Sequence, residues 1–324
     1  MEVFYAIQPS PGKGLGVFAT KPIKYGTRIL CEKPLIAIRD TCYTQDNVEK
    51  AYRNLDLDAQ RAFLNLASAH TIDPAAWPAG YFPEPLCAVA ATSRSVYSIY
   101  QTNCVDISTD HGIGSAVFEV MSRINHSCLP NCFFSWNKKL QKETVHAIRD
   151  IGEGEELFVA YCNLIKAKDE RADKLRAYGF DCGCQACLDE DSEDEDGNPQ
   201  ETSDDRRYRL EQLADDLDYY RRLPEVAVHA KQMNPITHAQ EQIQLLEKEG
   251  IADLNLSSAY RSLAKLYVQS GKYKAALEPA RTALRMSMNV LGPDHDSIGG
   301  AVTLLKDVKN IVEAEEGVNQ ALGG

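Results

Sequence analysis

The chain has 324 residues, of which 44% are hydrophobic and 25% are charged, enough for two or three domains that each have a hydrophobic core. No apolar run is as long as a membrane span, and the first residues lack the basic and apolar regions of a secretory signal. The net charge of −12 gives no sign of a basic nucleic-acid surface. We therefore expect a protein that is not secreted, resides in the cytoplasm, the nucleus or both, and binds neither membranes nor, directly, nucleic acids.

The first 40 residues are predicted to be rich in β-structure. Gly12, Gly14 and Gly16 alternate with other residues, so the backbone there can bend sharply and approach a neighbour closely. Apolar residues at 17–19 and 29–30 follow as two strands. The segment lacks the Lys-Ser/Thr ending of a phosphate-binding loop. Taken alone, it predicts a tight hairpin.

Residues 45–70 are predicted to be helical, because Leu55, Phe63 and Leu66 recur mostly at the spacing of one helix face. Four prolines between residues 73 and 85 indicate a loop. Residues 93–107 are predicted to form a helix that runs into a short strand.

The most polar stretch of the middle of the chain is residues 123–132, which contains Asn125, His126, Ser127, Cys128 and Cys132. Asparagine, serine and proline favour a loop, and the apolar segments on either side place that loop in a core. A hydrogen-bonded turn with a core histidine is the simpler interpretation of an isolated Asn-His pair. Loops that carry several polar donors and thiols between buried segments are usually functional sites.

Strands are predicted at 145–151 and 157–161 and a short charged helix at 169–178, before three closely spaced cysteines. Cys182, Cys184 and Cys187 lie within six positions, which in a reducing compartment indicates a metal site. Zn²⁺ prefers four thiolate or imidazole ligands, so a fourth ligand must come from elsewhere, with Cys128 and Cys132 as candidates. The alternatives are independent thiols or a redox pair.

Residues 189–205 carry ten acidic and no basic side chains, which predicts a solvated linker. Its less favoured interpretation is a mimic of an acidic tail that covers a basic surface. The region from 208 onward is predicted to be helical, and Gly271 with Tyr273 and the surrounding small residues is typical of a tetratricopeptide helix hairpin. This region could buttress the rest of the chain, or it could bind a peptide on a concave face.

Together these motifs resemble the SET-domain protein-lysine methyltransferases, and among them the SMYD (SET and MYND) family. The resemblance lies in the order Gly-x-Gly-x-Gly, Asn-His-Ser-Cys, Gly-Glu-Glu-Leu…Tyr and Cys-x-Cys-x2-Cys. It implies an α+β fold: a β-rich SET domain with a pseudoknot and a zinc-binding post-SET segment, followed by an all-α TPR-like domain. The implied domains are the N-terminal part of the SET domain (1–40), a helical insertion (41–92), the core SET domain (93–165), the post-SET segment (166–188), the acidic linker (189–205) and the helical domain (206–324).

The resemblance also implies roles for individual residues. Tyr161 would be the catalytic tyrosine, and Tyr178 would line the lysine channel. The residues expected to contact S-adenosylmethionine are Lys13, Gly14, Leu15, Gly16, Asn103, Asn125, His126, Tyr161 and Phe180. Asn125 and His126 would hold the amino-acid and adenine ends of that cofactor, and Phe180 would pack on the adenine. The expected Zn²⁺ ligands are Cys128, Cys182, Cys184 and Cys187, which leaves Cys132 as a core thiol.

The resemblance implies an S-adenosylmethionine-dependent protein-lysine N-methyltransferase that binds Zn²⁺, acts as a monomer and takes a protein or peptide with a lysine as substrate, histone or not. The alternative is a catalytically silent scaffold whose C-terminal helices bind peptides or chaperone tails. An enzyme acting on a non-protein amine is a third reading, without support in the sequence. In one respect the chain departs from the family: the region of the MYND zinc finger holds only Cys42, Cys87 and His70, so the finger is expected to be absent.

Overall fold

The computed structural model describes residues 3–40, 42–69, 95–109, 112–188, 201–222 and 234–322. The chain divides into two compact units, one comprising Met1–Cys162 and Asp169–Cys187 and the other Asn163–Lys168 and Leu188–Gly324. Most of the second half of the predicted helical insertion, with its proline-rich loop, lies outside the described residues, as do residues 189–200 of the predicted acidic linker.

The first unit combines short strands with short helices. Its strands are β1 (Tyr5–Ser10), β2 (Gly14–Ala19), β3 (Arg28–Glu32), β4 (Ile36–Ile38), β5 (Val105–Thr109), β6 (Gly112–Val117), β7 (Asn125–His126), β8 (Cys132–Asn137), β9 (Lys142–Ala147) and β10 (Phe158–Val159). Its helices are α1 (Gln45–Arg53), α2 (Leu57–Leu64), α3 (Val96–Asn103), α4 (Lys168–Arg176) and α5 (Gln185–Leu188), with a 3₁₀ turn at Met121–Arg123.

The predicted glycine hairpin is formed by β1 and β2, which pair antiparallel with Ser10 opposite Gly14. Gly12 and Gly14 adopt φ angles of +75° and +78°, a conformation that residues with a Cβ atom rarely adopt. The turn therefore depends on glycine at both positions.

Two three-stranded antiparallel sheets carry the core of this unit, in the orders β3-β9-β8 and β4-β6-β5. One apolar cluster packs around the first of these sheets and β2, with Val17, Ile29 and Val145 buried. A second cluster joins β4 and β6 to the helices α1–α3. The predicted helix at 45–70 is two helices, because Asp56 caps the N-terminus of α2 by accepting from the Ala59 N–H at 2.8 Å and so starts a new helix.

Two short strands that are distant in sequence, β7 and β10, pair in parallel, with Asn125 beside Phe158 and His126 beside Val159. Asn131, which is fully buried, holds the second segment in place. Its side chain donates to the Glu156 carbonyl at 2.8 Å and accepts from the Phe158 N–H at 2.7 Å. The predicted strand at 157–161 is shorter than expected, and Tyr161 lies just beyond its end. The pseudoknot stays a prediction.

From residue 203 onward, the regular structure in the described part of the second unit is helical, as predicted. It contains α6 (Ser203–Arg222), α7 (Pro235–Lys248), α8 (Leu254–Gln269), α9 (Tyr273–Leu291), a 3₁₀ turn at Asp296–Ile298, and α10 (Gly299–Leu322). Each of these helices packs against the next along the chain. The expected mixture of sheets with helices and the helical C-terminal part are confirmed. Among the described residues, every helix is too short or too polar to cross a membrane.

A buried carboxyl group lies on the sheet of the first unit. Glu143 on β9 is 1% exposed, lies directly opposite Glu32 on β3, and has neither carboxylate oxygen hydrogen-bonded among the described residues. Burial, followed by the charge of Glu32, raises the pKa of Glu143 to about 8 from an ordinary value of 4.5. The neutral acid is therefore the form that the folded protein prefers.

We expect Glu143 to make the protein less stable as pH rises. Below about pH 4.5 the carboxyl is protonated in both states. Between about pH 4.5 and about pH 8 only the unfolded chain releases the proton, so the free energy of unfolding falls by at most about 1.4 kcal/mol per pH unit. Glu143→Gln should reduce this fall, measured by urea unfolding at pH 5 and pH 8. An unchanged pH dependence relative to the exposed control Glu153→Gln would contradict the assignment.

The helical unit contains a buried ion-pair cluster between α6 and the end of α7. Glu249, whose side chain is 3% exposed, accepts from Arg206 Nε at 2.5 Å and lies 2.9 Å from Arg207 Nη2. Ser203 Oγ donates to the same carboxylate at 2.6 Å. Arg207 is fully buried, so its charge depends on Glu249 for compensation.

Glu249→Ala should destabilise the protein by about 3–5 kcal/mol, because it leaves a buried guanidinium uncompensated. The control is Glu241→Ala, which removes the half-exposed partner of Arg209 and should cost about 0–1 kcal/mol. Chemical denaturation followed by far-ultraviolet circular dichroism measures both. Equal losses in the two variants would show that the Glu249 cluster contributes no more than a surface pair.

Candidate functional site

Two cavities in the first unit share two tyrosines. The larger has a volume of about 560 Å³ and the smaller about 110 Å³. Tyr161 and Tyr178 line both, and their ring centroids lie 5.0 Å apart. The larger volume falls in the range that small-molecule sites usually have.

Predicted site residues line these cavities. In the larger cavity they are Lys13, Asn125, His126, Tyr161, Tyr178 and Phe180, together with the predicted metal ligands Cys182 and Cys184. Asn103 lines the smaller cavity instead, with Met121 and Phe134. The Asn103 Nδ2 group donates to the carbonyls of Ala67 and Ile99, each at 2.7 Å. Both hydrogens of this amide are therefore used in hydrogen bonds within the protein.

The Asn125 side chain lies between the glycine hairpin and the segment before β10. Its Nδ2 donates to the Leu15 carbonyl at 3.1 Å and to Glu156 Oε1 at 2.7 Å. Gly14, Leu15 and Gly16 are absent from the lining of both cavities, although Leu15 and Gly16 adjoin the Asn125 amide. A Cβ atom built on Gly16 would come within 2.3 Å of Glu156 Oε1, so only glycine permits this approach.

His126 links the candidate site to a cluster of thiols. Its Nδ1 accepts from the Tyr161 N–H at 3.0 Å, and its Nε2 lies 3.3 Å from Cys128 Sγ. Because a backbone N–H is always a donor, Nδ1 is unprotonated and the neutral ring carries its proton on Nε2, facing the sulfur. The rings of Tyr161 and Phe180 lie 5.4 and 6.1 Å from the imidazole.

Tyr161 is held by its own hydroxyl group, which donates to the Ile124 carbonyl at 2.6 Å. Burial, and after it the charges of Tyr178 and Glu156, raises the pKa of Tyr161. Burial also raises the pKa of Tyr178. Both phenols therefore stay neutral at physiological pH, and the oxygen of Tyr161 keeps lone pairs that can accept a further hydrogen bond.

The four predicted metal-binding thiols converge. Those of Cys128, Cys182, Cys184 and Cys187 all lie within 4.8 Å of one another, with Cys128 Sγ 4.0 Å from Cys182 Sγ and 3.5 Å from Cys187 Sγ. Ligands at about 2.3 Å around a tetrahedral Zn²⁺ are separated by about 3.8 Å. The donor set and its spacing therefore fit a zinc ion.

A second possible donor set shares one of these thiols: His126, Cys128 and Cys162 also lie within 4.8 Å of one another. This set offers three ligands, and both nitrogens of His126 already have neighbours. The four-thiol set completes a tetrahedral shell without His126 or Cys162. The guanidinium of Arg171, which is 1% exposed, lies 3.9 Å from Cys187 Sγ and offsets the negative charge of thiolates there.

Residues 14–162 match the SET domain family. The chain contains a SET domain. It is 33% identical over 186 residues, 56% of this chain and 50% of the relative, to "Histone-lysine N-methyltransferase set5" of Schizosaccharomyces pombe. It is 30% identical over 164 residues, 50% of this chain and 35% of the relative, to "N-lysine methyltransferase SMYD2" of Homo sapiens. The same protein of Bos taurus is 38% identical over 82 residues, 25% of this chain and 18% of the relative.

The resemblance to SET and SMYD proteins is thus confirmed, whereas the absence of the MYND finger stays a prediction. The chain spans half or less of the length of these curated relatives. The SET match ends at residue 162, so Tyr178, Phe180 and three of the four clustered cysteines follow it.

Sequence reasoning gave no role to Glu156 or Asn131, both of which build the site. Asn131 fixes the backbone that carries Glu156, and the Glu156 carboxylate contacts Asn125. Glu156 belongs to the Gly-Glu-Glu-Leu motif, and Asn131 follows the Asn-His-Ser-Cys motif. Their positions in or next to these motifs could have drawn attention to both residues. The motifs do not reveal which atoms the two side chains contact.

We expect the purified protein to retain about one zinc ion per chain, because four thiols are already gathered at ligand spacing. Cys182→Ser should lose most of this zinc during dialysis against a chelator. Plasma mass spectrometry gives the metal content. The matched control is Cys42→Ser at an exposed cysteine, which should retain zinc. Equal zinc retention in the two variants would contradict a four-thiol site.

Proposed function

We propose that this protein is an S-adenosylmethionine-dependent protein-lysine N-methyltransferase. The observation that carries the proposal is the pair of cavities that meet at Tyr161 and Tyr178. A methyl-transfer enzyme needs a site for the donor and a separate, narrower entry for the acceptor amine. The larger cavity suits the donor, and the smaller suits a lysine side chain.

The lining of the larger cavity fits this donor. Lys13, beside Glu156 at 3.8 Å, supplies a cation near the glycine hairpin, and Asn125 and His126 supply polar groups. Phe180, beside His126, offers an aromatic face to the adenine. S-adenosylmethionine, when bound, supplies a methyl carbon that is already electrophilic, so the protein needs no strong acid.

The role of the two tyrosines follows from their burial and hydrogen bonding. The hydroxyl proton of Tyr161 is held by the Ile124 carbonyl, so the phenol oxygen can accept a hydrogen bond from the amine and orient it. The raised pKa of Tyr161 makes this phenol a poor base at neutral pH. A channel between neutral, buried rings disfavours the ammonium form of lysine and excludes water. Positioning supplies much of the rate increase in such a reaction.

Zn²⁺ has a structural role in this proposal. All four positions of its shell are filled by thiols, which is the arrangement of structural zinc sites. Cys182, Cys184 and Cys187 follow Tyr178 and Phe180 closely in sequence, and Cys128 lies two residues after His126. The zinc would hold the aromatic residues against that loop.

A peptide-binding role for the C-terminal helices stays a prediction. Residence in the cytoplasm or the nucleus, and the monomeric state, are also predictions.

The first test is calorimetric titration of the zinc-loaded protein with S-adenosylmethionine and with its demethylated product. Saturable binding is expected, and radiolabelled methyl transfer to protein or peptide arrays should follow. A folded, zinc-replete protein that binds neither compound would reject the proposed function and favour a peptide-binding scaffold.

Tyr161→Phe should lower methyl transfer by roughly 100-fold or more, because the amine loses the acceptor that orients it. Cofactor affinity should stay within about threefold, since the ring remains in place. The control is Tyr25→Phe at a partly exposed tyrosine outside both cavities, which should leave transfer unchanged. Full activity of Tyr161→Phe would overturn the catalytic role.

A further inference from the structure

The carboxylate of Glu156 joins three segments beside the larger cavity, of which Lys13 and Asn125 line it. It accepts from Ser10 Oγ at 3.0 Å and from Asn125 Nδ2 at 2.7 Å, and lies 3.8 Å from Lys13 Nζ. Ser10 ends β1, Lys13 lies in the hairpin turn, and Asn125 lies on β7. The Glu156 side chain is 11% exposed, so these contacts are largely screened from water and stronger than on a surface.

The position of Glu156 is set by backbone pairing on both sides. Leu157 N–H donates to the Val17 carbonyl at 2.7 Å, and Ala19 N–H donates to the Glu155 carbonyl at 2.9 Å. Asn131 accepts from Phe158 N–H at 2.7 Å and donates to the Glu156 carbonyl at 2.8 Å. The pairing with β2 therefore fixes the backbone of Glu156, and the contacts with Ser10 and Asn125 hold its carboxylate.

The contact with Glu156 decides which end of the Asn125 amide faces the cavity. A carboxylate and a carbonyl can only accept, so the atom of Asn125 between Glu156 and Leu15 must be the NH₂ group. Both of its hydrogens are used there. Among the described residues, no donor contacts Asn125 Oδ1, and Asn125 lines the cavity. The cavity therefore meets a hydrogen-bond acceptor at this position.

The space occupied by the carboxylate is available only because residue 16 is glycine. A Cβ atom there would overlap Glu156 Oε1, at 2.3 Å, and crowd Asn125 Nδ2, at 3.1 Å. The ammonium group of Lys13 approaches the other carboxylate oxygen and also lies 4.3 Å from the centre of the Phe158 ring. One carboxylate thus contacts both Asn125, whose Oδ1 is an acceptor, and the cation Lys13.

We infer that Glu156 is a positioning residue that orients Asn125 and Lys13 to recognise the zwitterionic amino-acid end of the cofactor. The acceptor suits its ammonium group and the cation suits its carboxylate. This inference rests on the proposed function, because it takes S-adenosylmethionine as the ligand. Glu156 itself acts through Asn125 and Lys13 and is not a catalytic residue.

The test compares two ligands that share the adenosine and the sulfur-bound methyl group but differ at the amino-acid end, and with it in the charge on sulfur. S-adenosylmethionine carries the amino-acid group, whereas 5′-methylthioadenosine keeps the adenosine and the sulfur without it. Glu156→Ala should weaken binding of S-adenosylmethionine by roughly 10- to 100-fold, as expected for the loss of one or two charge-assisted hydrogen bonds. Binding of methylthioadenosine should change by less than about threefold. Calorimetry of the zinc-loaded full chain measures both.

Three single variants and one double variant make the test specific. Glu156→Gln keeps an acceptor for Asn125 and should recover part of the affinity. Glu153→Gln, the same substitution at an exposed position three residues earlier, should behave as wild type. Asn125→Asp places two carboxylates in contact and should weaken binding, and adding Glu156→Gln should restore part of it, because the new amide can donate to the aspartate.

The kinetic readout separates positioning from chemistry. The KM for S-adenosylmethionine should rise in Glu156→Ala, while kcat at saturating cofactor should stay within about threefold, because Glu156 does not touch the reacting atoms. Equal loss of affinity for both ligands would mean a collapsed cavity, and unchanged affinity for both would mean no role. Either result overturns this inference. Failure of the wild type to bind S-adenosylmethionine would instead reject the proposed function.

Discussion

The candidate site is held together by a short parallel pairing in which β7 and β10 each contribute two residues. β7 and β10 are about thirty positions apart in sequence, and their contact brings Asn125 and His126 beside Phe158 and Val159. A pairing this short has few hydrogen bonds of its own. The fully buried Asn131 extends it by satisfying the backbone of Glu156 and Phe158, since buried backbone groups must be paired. The positions of Tyr161 and Glu156, and so of both cavities, follow from this contact.

The same pairing couples the thiol cluster to the cavities. His126 accepts from the Tyr161 N–H with one nitrogen and faces Cys128 Sγ with the other. A metal ion bound by the four thiols would fix Cys128, and through the imidazole it would fix the backbone of Tyr161. Residues that contact a metal ligand orient that ligand. Here the residue in contact with Cys128 is His126, which also lines the larger cavity. Metal binding and the shape of the larger cavity are therefore expected to depend on each other.

The distribution of charge distinguishes the two cavities. The lining of the larger one includes the charged residues Lys13 and Asp181, whereas the smaller is lined by neutral polar and apolar residues such as Asn103, Met121 and Phe134. Between them lie two phenols whose pKa values are raised by burial. In the proposed function, the cavity with charged residues takes the zwitterionic cofactor and the neutral cavity takes the amine. The two tyrosines separate these environments, because a buried phenol neither ionises nor admits bulk water.

Much of this protein could be predicted from the sequence. Its glycine hairpin, its Asn-His-Ser-Cys and Cys-x-Cys-x2-Cys motifs and its helical C-terminal region were recognisable, because turns, close thiol spacing and helical periodicity are local properties. The predicted fourth thiol, Cys128, also lies with the other three. The placement of Asn103 on the smaller cavity, the orientation of the Asn125 amide and the contacts of Glu156 and Asn131 could not be read in the same way. These depend on which side chains meet across distant segments, and only the strand pairing of the folded chain decides that.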